Sequence, residues 1–188
     1  MSNRAISQEN SMKAKEKTGK AGSTGFPACA QKDELSINRR NLPHWQLPGS
    51  TYFITFRLKL GIITEDERRI VLDAMKHFHQ IRYWVTTALV MPDHAHVILK
   101  PVVFKSEMEY PLSKILQGIK GYSAREINKA RGSKGSLWQE ESFDRIVRDH
   151  DEYIEKWNYI RNNPGKSGLC QSPEEYPFLW EPGEPKEE

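Results

Sequence analysis

The stretch VMPDHAHVILKP, residues 90–101, decides the fold, because a tight turn in it separates two strand-like runs. Apolar residues rich in strand-forming types precede and follow the turn residues Pro92 and Asp93, which predicts two strands joined closely enough to pair antiparallel. The second run opens with His94 and His96, where Val or Ile would be the ordinary choice. The purpose of these two histidines is therefore the first functional question.

The residues before this stretch predict one more strand and a helix. TYFITFRLKL, residues 51–60, alternates between two sets of side chains with the period of a strand. Thr64 and Glu67 have the spacing of a capping box, and apolar residues then repeat at helical intervals. A helix is predicted from about residue 65 to 80.

The residues after it complete an α+β pattern. A second helix is predicted over about 112–130, a short fourth strand at FDRIVRD (143–149), and a third helix over 150–163 that Pro164 and Gly165 close. The order β-α-β-β-α-β-α predicts a ferredoxin-like antiparallel sheet with helices packed on it.

Three regions are expected along the 188 residues: a disordered basic arm at 1–40, one domain at 41–180 and a loose acidic tail at 181–188. The arm is polar, carries eight Lys or Arg against four Asp or Glu, and shows no apolar periodicity. Residues 41–170 carry 19 basic against 15 acidic residues, a mild excess that permits a phosphate-bearing partner without requiring one.

Composition and end sequences favour a cytoplasmic protein with no membrane partner. No apolar run approaches the ~20 residues of a membrane span, and the N-terminus lacks the apolar block of a secretory signal. Cys29 and Cys170 have no CxxC partner, so neither a disulfide nor a zinc ribbon is expected.

His94 and His96 are candidates for a metal site. Residues two apart on a strand point to one face, so both imidazoles could bind the same metal ion. The alternative is a pair of polar residues on a partly exposed sheet face. His77 and His79 have the same spacing, but on a helix they diverge, and they are interpreted as ordinary surface residues.

The third helix carries a candidate nucleophile and a further ligand. Its apolar stripe is predicted at Tyr153, Ile154, Trp157 and Ile160. Tyr159 lies off that stripe, and Asn163 follows it four residues later on the same side. Taken alone, this pair is better explained as an exposed tyrosine and a helix-terminal asparagine before Pro164. Tyr122 and Tyr153 compete as nucleophiles, and both are expected on core-facing stripes.

MPDHAHVILKP, LWQEESFDRIVRD and YIRNNPGKSGL, in this order and spacing, resemble the single-tyrosine HUH transposases, and most closely their REP-associated tyrosine transposases. By this resemblance, His94, His96 and Asn163 match metal ligands, and Tyr159 matches the nucleophilic tyrosine. Ala95 departs from the pattern, whose middle position is usually a bulkier apolar residue.

The resemblance implies metal-dependent cleavage and rejoining of single-stranded DNA, including hairpin ends of repetitive palindromic elements, through a 5′-phosphotyrosine. Nitrogen and oxygen ligands with open positions suit Mg²⁺ or Mn²⁺ acting on a phosphate, although imidazoles also hold zinc or nickel. The sequence leaves open which hairpin is recognised and whether a homodimer shares its active sites.

A basic segment supports a DNA partner. Residues 111–131 carry one acid, Glu126, against five cations that could follow a phosphate backbone: Lys114, Lys120, Arg125, Lys129 and Arg131.

Two other functions compete with transposition. A nucleotide hydrolase of the histidine-triad kind would need a histidine at position 98, where Ile98 stands. The stronger rival is a domesticated protein of the same fold that binds DNA hairpins without cleaving them.

Overall fold

The structure, a computed structural model, describes the backbone of residues 36–39 and 43–46 and the complete residues 47–103 and 109–182. The elements follow the chain as β1 (Ser36–Arg39), β2 (Pro43–Gln46), β3 (Thr51–Arg57), α1 (Glu65–Lys76), β4 (Tyr83–Val90), β5 (His94–Pro101), α2 (Leu112–Arg131), β6 (Phe143–Val147), α3 (His150–Lys166), a 3₁₀ turn (Pro173–Glu175) and β7 (Leu179–Trp180).

Five strands form one sheet in the order β6-β3-β5-β4-β7, with every neighbouring pair antiparallel. β4 and β5 pair across the turn at Pro92 and Asp93, and β1 and β2 form a separate hairpin. The α+β class and the order β3-α1-β4-β5-α2-β6-α3 confirm the prediction.

The register separates the sheet into two faces. His96 lies opposite Thr55, and His94 lies opposite Arg57, so these four side chains share one face, called here the histidine face. The intervening residues, such as Phe56 opposite Ala95, point to the other side, called here the core face.

Helices α1 and α2 cover the core face. The Tyr83 hydroxyl donates to the Met75 carbonyl of α1 at 3.0 Å, and the two residues are almost fully buried. Trp138 packs edge-on against Phe56 and donates its indole N–H to the Ser123 hydroxyl of α2 at 3.0 Å. The Thr64–Glu67 capping box that begins α1 is present as predicted, but α1 ends at Lys76, before residue 80.

Helix α3 lies on the opposite side, against the histidine face, because its Tyr159 ring contacts the rings of Phe53 and His96. The prediction that Pro164 closes this helix is wrong, since α3 continues through Lys166. Proline removes only the hydrogen bond to the carbonyl of residue 160, and the last turn is kept by the Ser167 and Leu169 amides, which donate to the Pro164 carbonyl.

Two residues expected on apolar stripes are exposed. Ile154 is 37 % exposed because Glu152, two residues earlier, takes the inward position, and residues two apart on a helix point in nearly opposite directions. Glu152 is held there by Arg145 and Arg148, with N···O distances of 2.6 and 3.0 Å. Tyr122 is 48 % exposed, since the buried line of α2 runs through its neighbour Ser123.

The structure describes only part of the predicted arm and tail. Most of the arm predicted at residues 1–40 lies outside the described residues, but 36–39 form a strand within it. Residues 183–188 of the predicted tail also lie outside them. Tyr176 and Phe178 are buried, and β7 pairs with β4, so this segment packs against the sheet. None of the helices in the described part of the chain is long and apolar enough to cross a membrane.

Candidate active site

The two histidines lie side by side at the start of β5. Their ring centroids are 4.7 Å apart and the rings are nearly perpendicular, at 77°. His96 is 2 % exposed and His94 is 9 % exposed, so both imidazoles lie at the base of the site. The predicted shared orientation is therefore present.

Each imidazole is held through its Nδ1 atom. His94 Nδ1 is 2.7 Å from a carboxylate oxygen of Asp93, and His96 Nδ1 is 2.7 Å from the Thr55 hydroxyl. Arg57 lies next to this pair, with its guanidinium 3.6 Å from the other Asp93 oxygen. Partners of this kind fix the tautomer and ring orientation of metal-binding histidines and leave Nε2 available to bind an ion.

The site favours a neutral His96. Burial lowers the pKa of His96 to about 3, and the neighbouring His94 and Arg57 act in the same direction. Partial burial acts to raise the pKa of Asp93, but the hydrogen bond and charge of His94, together with Arg57 and a backbone amide, lower it overall. A neutral imidazole beside a carboxylate is the protonation state that can coordinate a cation at neutral pH.

Helix α3 brings Tyr159 and Asn163 to these histidines. The Tyr159 ring centroid is 5.3 Å from that of His96, and the side chain is 43 % exposed. The Asn163 amide lies 3.2 Å from His96 Nε2. Since the nitrogen and oxygen of an amide are assigned from hydrogen bonding, rotation of this group would bring its oxygen to the same position.

The donor set at this point is two imidazole nitrogens and one amide. Within the described residues there is no cluster of three or more His, Cys, Asp or Glu side chains that could hold a metal ion. His94, His96 and Asn163 nevertheless form a mixed nitrogen and oxygen set with both Nδ1 atoms already engaged, which fits a divalent cation.

A family model described as "Transposase IS200 like" matches residues 61–163, more than half of the chain. The chain belongs to the IS200-like transposase family. The matched segment includes both histidines and ends at Asn163, the last of the four clustered side chains. A comparison with curated proteins found no match to the chain.

Two solved structures are similar to it. One is a REP-associated tyrosine transposase bound to a REP hairpin, with 23 % sequence identity and a TM-score of 0.60 over 77 % of this chain and 82 % of that chain. The other is a putative transposase from Deinococcus radiodurans R1, with 19 % identity and a TM-score of 0.43 over 60 % of this chain and 88 % of that chain. The first likeness confirms the fold expected from the sequence resemblance.

The basic residues predicted to bind DNA lie on α2, across the sheet from the histidines. Arg125 and Lys129 are exposed. Arg131 is engaged by Glu67 through two N···O contacts of 2.5 and 2.7 Å. Lys120 reaches the Glu140 carbonyl and the Ser142 hydroxyl, just before β6, and Lys114 contacts the Gln117 side chain.

Sequence reasoning missed several side chains around Tyr159. Together with His96 and Tyr159, these side chains line a cavity of about 280 Å³. They belong to Phe53, Thr55, Arg57, Phe143 and Lys156. The alternation in β3 already separated Thr55 and Arg57 from the apolar residues, which was a usable signal. The prediction that His77 and His79 lie on a helix is wrong, since α1 ends at Lys76. His77 is exposed, and His79 Nδ1 accepts the Val85 amide.

Proposed function

We propose that this protein cleaves and rejoins single-stranded DNA, with Tyr159 as the nucleophile. The observation that carries the proposal is the meeting of Tyr159, His94, His96 and Asn163, which come from two elements far apart in the sequence. Membership of the IS200-like transposase family supports the same conclusion.

His94, His96 and Asn163 are the residues that would hold a divalent ion, Mg²⁺ or Mn²⁺. When bound, such an ion supplies positive charge that offsets the negative charge developing on a phosphate. Asp93 and Thr55 orient the two imidazoles through Nδ1, and burial keeps His96 neutral and able to donate a lone pair.

Tyr159 would attack the phosphorus of the scissile phosphodiester through its phenolic oxygen. The phenol loses its proton, the new bond joins tyrosine to the 5′ phosphate, and the departing 3′ oxygen takes up a proton to become a free hydroxyl. Attack by the 3′ hydroxyl of another DNA end reverses these steps and joins the strands. The phosphotyrosine conserves the bond energy, so no nucleotide triphosphate is required.

The proposed substrate is single-stranded DNA at a hairpin end. The REP-associated relative was solved with a REP hairpin, and α2 presents Arg125 and Lys129 to solvent, where they could contact phosphates. Arg131 is a weaker candidate for such contacts, since its guanidinium already binds Glu67. Lys114 and Lys120 lie on the same helix, and Lys120 is close to the edge strand β6.

The test is Tyr159→Phe, assayed with labelled hairpin oligonucleotides copied from the DNA that flanks the gene. We expect wild-type protein to leave a covalent protein–DNA adduct on a denaturing gel, and the variant to bind the hairpin but form none. The fold should survive, because Tyr159 is 43 % exposed and loses only a hydroxyl group.

Two matched tyrosines serve as controls. Tyr122→Phe changes an exposed tyrosine on α2, and Tyr153→Phe changes a half-buried one on α3. Both variants should keep forming adduct. An adduct that persists in Tyr159→Phe would refute the assignment, cleavage without an adduct would indicate a metal-activated water, and wild-type binding without cleavage would favour the hairpin-binding alternative.

A further inference from the structure

The cavity beside Tyr159 contains groups that nucleophilic attack on a phosphate does not itself require. Its walls combine aromatic rings with two cations. The cavity of about 280 Å³ is lined by Phe53, Thr55, Arg57, His96, Phe143, Lys156 and Tyr159. A cavity of this size has room for one flat ring system.

Phe143 is the least buried of these aromatic residues. It opens β6, the edge strand of the sheet, and lies opposite Thr55, so its side chain is on the histidine face. The ring meets Phe53 edge-on, with centroids 6.3 Å apart at 69°, yet 54 % of the residue stays exposed. Phe143 therefore has an apolar surface that the rest of the described chain leaves uncovered.

The two cations that line the cavity come from different elements. Arg57, on β3, has a side chain that is 54 % exposed and anchored near Asp93. Lys156 is on α3, one turn before Tyr159, and its side chain is 18 % exposed. Its ammonium group contacts the more exposed carboxylate of Glu155 at 2.6 Å. Aromatic rings and positive charges in one cavity are the combination that binds single-stranded nucleic acid, with bases stacked on rings and phosphates beside cations.

We infer that this cavity takes a single unpaired nucleotide next to the cleaved phosphate, with its base stacked on Phe143 and its phosphates contacted by Arg57 and Lys156. This inference rests on the proposed function, since it concerns the substrate of that same site. Stacking there would require the flanking base to be unpaired, and the cavity would thereby select single-stranded over duplex DNA at the point of cleavage.

A binding measurement tests the stacking without relying on cleavage. Hairpin oligonucleotides carry 2-aminopurine at successive single-stranded positions, and fluorescence is recorded with protein kept in EDTA. We expect quenching at one position with wild type, loss of that quenching with Phe143→Leu, and its return with Phe143→Trp. Tyr122→Leu removes an equally exposed aromatic from α2 and should leave the quenching unchanged.

A cleavage measurement then tests whether Phe143 and the base at the quenched position interact with each other. An abasic site at the quenched position and Phe143→Leu should each slow adduct formation by about tenfold, the range of one base–aromatic stack. Together they should slow it no more than either change alone, because both remove the same interaction. Arg57→Gln should reduce the rate on the intact and the abasic substrate alike.

The two proposals fail in different ways. If wild-type protein forms no Tyr159 adduct, the cleavage proposal fails, while the quenching pattern still reports on the cavity. If adduct forms but Phe143→Leu leaves both quenching and rate unaltered, the base pocket is refuted. Penalties of Phe143→Leu and the abasic site that multiply would refute it equally, because they would show two independent effects.

Discussion

The two faces of the central sheet differ in what their buried polar groups do. On the core face, polar groups support packing: the Ser123 hydroxyl accepts from Trp138, and Glu67 holds Arg131 to join α1 with α2. On the histidine face, the buried imidazoles of His94 and His96 lie next to each other, and His96 lines a cavity that is open to solvent. The comparison teaches that one sheet separates its packed core from its candidate active site by the alternation of its side chains.

Changes at the histidine face should therefore abolish activity and spare the fold. We expect His94→Ala or His96→Ala to reduce metal-dependent cleavage by about 10³-fold or more, comparable with the loss of a group that stabilises transition-state charge. The circular dichroism spectrum should keep its shape, since strand pairing uses the backbone. Adduct assays with added Mg²⁺ or Mn²⁺ measure the loss.

The matched control is His77→Ala, which removes an exposed imidazole at the end of α1. It should retain nearly all activity. A large loss in this variant, or full activity in the His94→Ala, His96→Ala double variant, would show that the metal site has been assigned to the wrong histidines.

Changes at the core face should have the opposite effect. Ile127 is fully buried on α2, and Ile127→Ala should lower the free energy of unfolding by about 2–5 kcal/mol through lost burial and the cavity left behind. Urea denaturation measures this. At temperatures where the variant is folded, its adduct formation should match wild type, and a selective loss of activity would break the division between the two faces.

The Glu67–Arg131 pair should contribute a smaller, pH-dependent part of the stability. The hydrogen bond from Arg131 lowers the pKa of Glu67 below its ordinary value of 4.5. The stabilisation is therefore complete above that ordinary value and is lost as the pH falls through the lower folded-state pKa. Arg131→Met should cost about 1–3 kcal/mol at neutral pH, because it leaves a buried carboxylate without its partner.

Melting temperatures followed from neutral pH to pH 3 check this. The difference between wild type and Arg131→Met should shrink as the solution is acidified. Arg125→Met provides the control, since Arg125 is exposed on the same helix, and its melting temperature should follow wild type throughout. A difference that stays constant with pH would mean that the ion pair is not its source.

The smallest expected effects concern DNA affinity. Arg125→Gln or Lys129→Gln should each weaken hairpin binding and reduce the slope of log K against log salt by about one if the side chain contacts a phosphate. Arg131→Gln should leave that slope unaltered, because its guanidinium is already held by Glu67. Fluorescence anisotropy titrations at several salt concentrations distinguish these cases, and unchanged slopes for Arg125 and Lys129 would move the DNA surface away from α2.

Local patterns in the sequence determined the order of the elements and which residues share a side of one element. The pairing of His94 with His96 followed from the two-residue period of a strand, and that of Tyr159 with Asn163 from the helical period. The Thr64–Glu67 capping box was also predictable from the sequence, because it involves residues three apart. That the two pairs form one site was implied only by the family resemblance.

Only the tertiary structure decided which faces meet. Periodicity indicates that Thr55 and Arg57 share a side of their strand, but the register with β5 brings them opposite His96 and His94. In the same way, the basic side of α2 is visible in the sequence, while its position across the sheet from Tyr159 depends on packing. Such relations join residues tens of positions apart, and they depend on which apolar surfaces bury each other, a property that no single segment carries.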